Sequence, residues 1–170
     1  MASTQYSFER REEKYFLTPV QYEAILTPLR QHMHADEHEQ YTICSLYCDT
    51  PDWQLIRASL EKPYYKEKLR VRSYGTPTPD GHVFVELKKK VGGIVYKRRI
   101  ALPAARADAF LRGEVSVPGQ IAREISWFQR MYGAQPRVLI AYDRTAFAGV
   151  TEPGLRVTFD TGIRWRTDHL

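Results

Sequence analysis

Alternation of polar and apolar residues recurs along most of the chain and predicts a β-rich fold. In a strand, successive side chains point to opposite faces, so a period of two gives one polar and one apolar face. Residues 68–72, Lys-Leu-Arg-Val-Arg, show this pattern with three cations on one face. Similar alternation predicts seven strands, at 8–17, 41–49, 68–74, 83–90, 94–100, 137–147 and 155–160.

Helix signals lie between these strands. A first helix is predicted from Pro19 to about Leu29, because Thr18 and Gln21 can form a capping box and Pro19 suits the first helical position. Pro28 is expected to weaken or bend its last turn. Three more helices are predicted: a short one from Pro51 to Leu60 capped by Asp49 or Thr50, and longer ones at 103–112 and 118–132 that end at glycines.

The stretch 32–39 is polar and contains three histidines and three acidic residues. Such a group could hold a divalent metal. Its spacing matches no recognised ligand set, and a solvated link between a helix and a strand needs residues of this kind. We therefore predict a polar connector.

Length and composition predict one domain, residues 1–170, since 43% hydrophobic residues are enough for a core. The net charge of +5 favours a polyanionic partner: nucleic acid, a phosphate compound or an anionic membrane surface. With no leader-like N-terminus and no long apolar run, we expect a cytoplasmic protein without a transmembrane segment. Cys44 and Cys48 share a strand face but lie too far apart to bond, so we expect buried thiols.

Cations fall on the same face in strand after strand. Ordinary solvated sheets mix polar residues, because like charges opposite one another are destabilising. A face made mostly of Lys and Arg therefore predicts an anionic ligand, although an exposed basic sheet stays an open alternative. The charged positions are Arg10, Glu12, Lys14, Lys68, Arg70, Arg72, Glu86, Lys88, Lys90, Lys97, Arg99, Arg144 and Arg156.

Two architectures satisfy this pattern. An open sheet could carry helices on its apolar face, whereas a closed antiparallel barrel could place helices outside and a polar lumen within. The barrel explains better why the cations are concentrated, since strands that converge on a narrow space create a high positive potential. We predict an α+β fold built on an antiparallel β-barrel tunnel with a basic lumen.

Several motifs together carry a family resemblance. In order along the chain they are Arg10-x-Glu12-x-Lys14-Tyr15, Ser-Leu-Tyr-Cys-Asp-Thr at 45–50, Lys-Leu-Arg-Val-Arg-Ser-Tyr-Gly at 68–75, Val-Glu-Leu-Lys at 85–88, Lys-Arg-Arg at 97–99, Tyr142-x-Arg144 and Arg-Val-Thr-Phe-Asp at 156–160. Their order and spacing, from Phe8 to Arg166, resemble the VTC domain. That family belongs to the triphosphate tunnel metalloenzymes, relatives of the CYTH phosphatases and adenylate cyclases.

The resemblance implies a tunnel that holds a nucleoside triphosphate or polyphosphate beside a divalent metal, Mn²⁺ or Mg²⁺. Glu12 and Glu86 would be the metal ligands, directly or through water, and Lys14, Arg70 and Arg72 would be the catalytic residues. The phosphate ligands implied are Lys14, Lys68, Arg70, Arg72, Lys88, Lys97, Arg99, Arg144 and Arg156.

The sequence departs from the wider superfamily in two ways. Arg10 stands where the superfamily signature has Glu, as is typical of VTC members. The family also continues past the motif at 156–160 into strands that carry an acidic metal ligand and a Lys, whereas this chain stops at Leu170. We therefore expect a tunnel that is incomplete at its C-terminal side, which affects turnover more than anion binding.

Three functions are compatible with this pattern. The first is metal-dependent phosphoryl transfer, either polymerising polyphosphate from ATP, as eukaryotic VTC members do, or hydrolysing triphosphate. The second is a module that binds polyphosphate without turnover. The third, nucleic-acid binding, is not expected, because Tyr15, Tyr74 and Tyr96 do not form a regular stacking set. The sequence does not predict the oligomeric state.

Overall fold

The computed structural model describes residues 12–152 and 154–170. Within these residues the fold has four helices and one six-stranded antiparallel sheet. In chain order the elements are α1 Pro19–His32, β1 Met33–Asp49, α2 Gln54–Leu60, β2 Tyr65–Tyr74, β3 His82–Val91, β4 Ile94–Pro103, α3 Ala104–Leu111, α4 Gln120–Tyr132, β5 Gln135–Gly149 and β6 Arg156–Arg166.

The strand order is β4-β3-β2-β1-β5-β6, and within the described residues β4 and β6 are the edges. The sheet is therefore a curled, open half-barrel. This confirms the predicted α+β class and antiparallel tunnel-like sheet, with the barrel incomplete among the residues described.

The helices cover the apolar face of the sheet. One core cluster joins β2 and β3 to α3 and α4 through side chains that are almost fully buried, including Leu69, Val85, Phe110, Ile125 and Phe128. The amphipathic spacing of α4 places Ile125 and Phe128 on this inner stripe. A second cluster packs Met33, Phe147 and Phe159 against Tyr22, Leu26 and Leu29 of α1. By strand alternation both clusters lie on the face opposite Arg70.

Two predictions about the N-terminal half are wrong. Residues 12–17 form no strand, and residues 8–11 of that predicted strand lie outside the described part of the chain. Among the described residues no strand pairs with this segment. Nor is 32–39 a connector: β1 begins at Met33, because β5 is long enough to pair with it as far as Gly149. A bulge between Ala35 and Gln40 absorbs the polar residues.

Two helix boundaries also differ from the prediction. The capping box at Thr18 is confirmed, but α1 continues through Pro28 to His32. The second helix begins at Gln54, three residues after the predicted start, because a turn from Thr50 to Trp53 comes first.

Most of the remaining local predictions agree with the structure. Gly92 and Gly93 both have positive φ, 54° and 91°, and form the predicted hairpin turn between β3 and β4. Gly133, at φ 59°, ends α4. Both cysteines are free thiols as predicted; Cys48 is buried as expected, whereas Cys44 is only half-buried, which differs from the prediction. None of the described helices is long and apolar enough to cross a bilayer.

Asp49 attaches α2 to the end of β1. Its buried carboxylate accepts hydrogen bonds from the backbone N–H groups of Thr50, Leu55 and Ile56, at 2.8, 2.8 and 3.0 Å. Thr50 Oγ1 accepts a fourth, from the N–H of Gln54 at 2.8 Å. Trp53 and not Asp49 or Thr50 is thus the N-cap residue, although both predicted residues accept hydrogen bonds from the first turn of the helix.

Replacing this carboxylate should destabilise the fold. Asp49→Ala leaves three backbone donors without their acceptor, so we expect the free energy of unfolding to fall by about 2 kcal/mol in chemical denaturation. Asp108→Ala, which removes an exposed helix-surface ion pair with Arg112, should cost about 0.5 kcal/mol or less. Equal losses for the two variants would contradict the anchoring role of Asp49.

Candidate anion-binding site

The register of β2, β3 and β4 places the predicted cations side by side on the face away from the helices. Paired residues of antiparallel strands share a face, so cross-strand rows of charge can be taken directly from the register. Two neighbouring rows cross β2, β3 and β4 in that order. The first consists of Arg70, Glu86 and Arg99, and the second of Lys68, Lys88 and Lys97. Five of these six side chains are cationic, so this part of the face has a large excess of positive charge.

Glu86 is the centre of this arrangement. Its side chain is 0% exposed, Oε2 accepts a hydrogen bond from Arg70 Nε at 2.7 Å, and Arg70 Nη2 lies 2.7 Å from the same oxygen. Lys97 Nζ lies 2.5 Å from Oε1, and Arg99 Nη1 lies 4.0 Å from the same oxygen. One carboxylate thus holds three cations, which leaves a net charge of about +2 at this point of the sheet.

The charges shift the ionisation of the groups involved. Burial raises the pKa of Glu86, but Arg70 and Lys97 outweigh burial and hold that pKa below its ordinary value. Burial lowers the pKa of Lys97, although Glu86 opposes the change. Glu86 therefore stays ionised at neutral pH and fixes the side chains around it.

Lys68 and Arg72 flank Arg70 on the same face. Neither forms an ion pair with a carboxylate among residues 12–152 and 154–170. Burial lowers the pKa of Lys68, and the charges of Lys66, Lys88 and Lys14 lower it further. Positive charge that is half-buried and not neutralised by the protein is best stabilised by an anionic ligand.

Tyrosine and serine side chains from β1 and β5 orient the arginines. Tyr47 Oη accepts from Arg70 Nη1 at 3.1 Å, and Tyr142 Oη accepts from Arg72 Nη2 at 3.4 Å. Ser45, only 1% exposed, has its Oγ 3.5 Å from Arg72 Nε. Burial raises the pKa of Tyr47, but the charge of Arg70 and its hydrogen bond outweigh this and lower it.

Ser45 and Tyr47 were not among the predicted site residues. Alternation along 41–49 would have placed both on one face, but the sequence does not show that this face meets Arg70 and Arg72. The β1–β2 register supplies that information, because it pairs Tyr47 with Arg70 and Ser45 with Arg72.

Two other predicted residues meet the basic face near Lys88. Glu12 lies 3.7 Å from both Lys14 and Lys88, measured between carboxylate oxygens and ammonium nitrogens. Because Glu12 and Lys14 are 54% and 79% exposed, these contacts are weak and adaptable. They bring the segment before α1 to the edge of the site.

At the β5–β6 end of the face each predicted cation has an acidic partner. Arg144 donates from Nε and Nη2 to the two carboxylate oxygens of Asp160, both at 2.7 Å. Arg156 pairs with Asp36. The positive charge is thus largely balanced here, unlike that on β2 and β4.

The carboxylates assigned to a metal by the family resemblance do not fit a resident cation in this geometry. Glu86 is already surrounded by three cations, and Glu12 lies between two lysines. In the part of the chain that the structure describes, no group of three or more His, Cys, Asp or Glu side chains could hold a metal ion. The metal therefore stays a prediction.

The depressed pKa of Glu86 predicts acid sensitivity. Its contribution to stability is complete above the ordinary glutamate value of 4.5 and is lost as the pH falls through its lower native pKa. Glu86→Gln leaves three cations without a counter-charge, so we expect the free energy of unfolding at pH 7 to fall by about 3 kcal/mol. Chemical denaturation at a series of pH values from 7 downwards tests both effects.

The variant should also show a shallower loss of stability below pH 4.5 than the unmodified protein, since the titrating group is gone. Glu23→Gln on the exposed surface of α1 is the matched control and should change neither quantity. An acid transition unaltered by Glu86→Gln would show that other carboxylates cause it.

Comparison with known proteins gives a consistent assignment. The VTC domain model matches residues 9–169. Vacuolar transporter chaperone complex subunit 4 of Schizosaccharomyces pombe is 26% identical over 192 aligned positions, which cover 94% of this chain but 26% of that protein. The chain therefore spans about a quarter of the length of this curated relative.

A solved structure shares the fold. A protein assigned as an adenylate cyclase from Bacillus halodurans superposes with a TM-score of 0.51 at 12% identity, covering 92% of this chain and 80% of that chain. At this identity the likeness concerns the fold alone. Because the VTC domain model matches nearly the whole sequence, the protein belongs to the VTC domain family.

Proposed function

We propose that the basic face binds the phosphate groups of triphosphate or polyphosphate. The observation that carries this proposal is the charge balance around Glu86, where one buried carboxylate faces Arg70, Lys97 and Arg99 while Lys68 and Arg72 have no acidic partner among the described residues. A chain of phosphates carries repeated negative charge at short intervals. It therefore matches a row of cations better than a single carboxylate or sulfate would.

The chemistry of the side chains supports the same ligand. Arginine guanidinium groups bind phosphate oxygens with paired, charge-assisted hydrogen bonds, whereas lysine supplies a compact point charge. Arg70 and Arg72 are held in place by Glu86, Tyr47 and Tyr142. Binding then needs little further ordering of these side chains, and this increases affinity.

We extend the proposal to the phosphate ligands at the periphery of the face. Lys88 and Lys14 would contact one end of a bound chain. Arg144 and Arg156 would contact the other, sharing their donors between phosphate and the carboxylates of Asp160 and Asp36. A longer polyphosphate would reach these residues, whereas a triphosphate would need the central cations only.

The activity proposed is phosphoryl transfer of the polyphosphate polymerase type, with ATP as donor. The bond between the γ-phosphorus and its bridging oxygen breaks, a new bond forms to an oxygen of the acceptor phosphate, and ADP leaves. Lys14, Arg70 and Arg72 would hold donor and acceptor in line and neutralise the charge on the transferring group. A divalent Mn²⁺ or Mg²⁺ would supply further charge neutralisation on the phosphates.

Two alternative functions use the same phosphate-binding residues. With water as acceptor, the reaction becomes triphosphate hydrolysis. Without turnover, the face is a polyphosphate-binding module, and one observation favours this reading: both carboxylates expected to bind metal are held by cations of the protein. Incubation with ATP and Mn²⁺ distinguishes the three functions. Growth of polyphosphate chains identifies a polymerase, release of phosphate identifies a hydrolase, and neither product identifies a binding module.

Phosphate binding should depend on the central cations. Arg72→Gln removes a guanidinium that forms no ion pair with a carboxylate of the described chain, so we expect the Kd for inorganic triphosphate in calorimetry to rise about tenfold or more. Arg123→Gln removes the same charge from an exposed position on α4, on the other side of the sheet. The control should bind within about twofold of the unmodified protein.

Equal weakening by the two variants would indicate a nonspecific effect of net charge and contradict the proposed site. Competition by oligonucleotides at the same concentration as triphosphate would favour nucleic acid as the ligand instead.

Binding and turnover should differ in their need for metal. Since the described residues supply charge for phosphate but no metal ligand set, we expect triphosphate to bind in EDTA within about tenfold of its affinity in Mg²⁺. Any turnover should be lost in EDTA and return when Mn²⁺ or Mg²⁺ is added. Complete loss of binding in EDTA would show that a resident metal forms part of the phosphate site.

A further inference from the structure

Three aromatic side chains form a row at one end of the basic face. The ring centroids of Tyr41 and Tyr74 are 5.6 Å apart, and those of Tyr74 and Phe84 are 6.1 Å apart, both in edge-to-face geometry. The guanidinium of Arg99 lies 4.5 Å from the centroid of Phe84. The row therefore crosses β1, β2 and β3 and ends against a cation of the proposed phosphate site.

The row is continuous with that site. Phe84 is the register partner of Arg72, and Tyr74 follows Arg72 by two residues on the same face of β2. At about 3.3 Å per residue, the backbone positions of Arg72 and Tyr74 are about 7 Å apart. A flat group joined to the phosphates through a short spacer would reach Tyr74.

Tyr74 is the accessible member of the row. It is 54% exposed, whereas Tyr41 and Phe84 are half-buried. Its neighbours leave part of the side chain in water, on the face where Arg70 and Arg72 lie. Stacking against a planar ligand would bury that surface.

We infer that Tyr74, supported by Tyr41 and Phe84, is a nucleobase subsite that stacks the base of a nucleoside triphosphate whose phosphates lie on Arg72 and Arg70. This inference rests on the proposed function, because it places the base relative to the phosphates. The contact distinguishes ATP from inorganic triphosphate, which has the same phosphate chain and no base. Stacking does not require hydrogen bonds to the base edges, so purines in general should bind.

The test compares two ligands on three variants. Binding of ATP and of inorganic triphosphate is measured by calorimetry in EDTA, where turnover cannot consume the ligand. Tyr74→Leu removes the aromatic face but keeps an apolar side chain on the strand. Tyr74→Phe keeps the ring. Tyr96→Leu is the matched control, because Tyr96 is 44% exposed on β4 and its partner Lys89 puts it on the helix side of the sheet.

We expect Tyr74→Leu to weaken ATP binding about tenfold, as base stacking on an aromatic side chain is worth about 1–3 kcal/mol. Binding of inorganic triphosphate should stay within about twofold. Tyr74→Phe and Tyr96→Leu should leave the ratio of the two affinities unchanged. The readout is the ratio of ATP affinity to triphosphate affinity in the same variant. Partial unfolding would lower the binding of both ligands and would not change this ratio.

Two results overturn the inference. If Tyr74→Leu weakens both ligands equally or neither, Tyr74 has a packing role and no base subsite exists, while the phosphate site stands. If the unmodified protein binds neither ATP nor triphosphate, the proposed function fails and the subsite fails with it.

Discussion

The rest of the site depends on the burial of one carboxylate. Arg70, Lys97 and Arg99 come from β2 and β4, and their mutual repulsion would push the strands' side chains apart if Glu86 on β3 did not lie between them. A buried charge is tolerable only when it is well paired. Here three cations surround one carboxylate, so the interaction that stabilises the sheet also leaves an excess of positive charge on this face.

Much of the fold was predictable because it depends on local chemistry. The capping box at Thr18, the hairpin glycines and the stripe of α4 were all predicted from short patterns. The predictions at 8–17 and 32–39 failed in the described residues because strand formation depends on a partner far away in the sequence. Polar residues at 32–39 indicated a connector, yet pairing with the end of β5 and a bulge make them part of β1.

The sequence predicted which residues share the basic face of the sheet, but it did not predict the side-chain contacts between them. Alternation placed Arg70, Arg72 and Glu86 on polar faces of their strands, and the structure brings those faces together. The sequence could not show which cations Glu86 would hold, since that depends on register between strands. For the same reason Tyr47 was not included, although it lies on a strand with a recognisable alternation. The family resemblance, and not this pattern, assigned Glu86 to a metal.

A bulge in β1 separates two regularly paired parts of the strand. Before the bulge, the three residues from Met33 to Ala35 pair with the end of β5, next to α1. After it, the residues from Ile43 to Cys48 are paired on both sides, with β2 and with β5. A bulge leaves extra residues unpaired while regular pairing resumes on both sides of it. If insertions or deletions between Ala35 and Gln40 stay within this stretch, the attachment of α1 at Met33 and the spacing of the phosphate face both stay intact, so we expect chain length to be tolerant of change here.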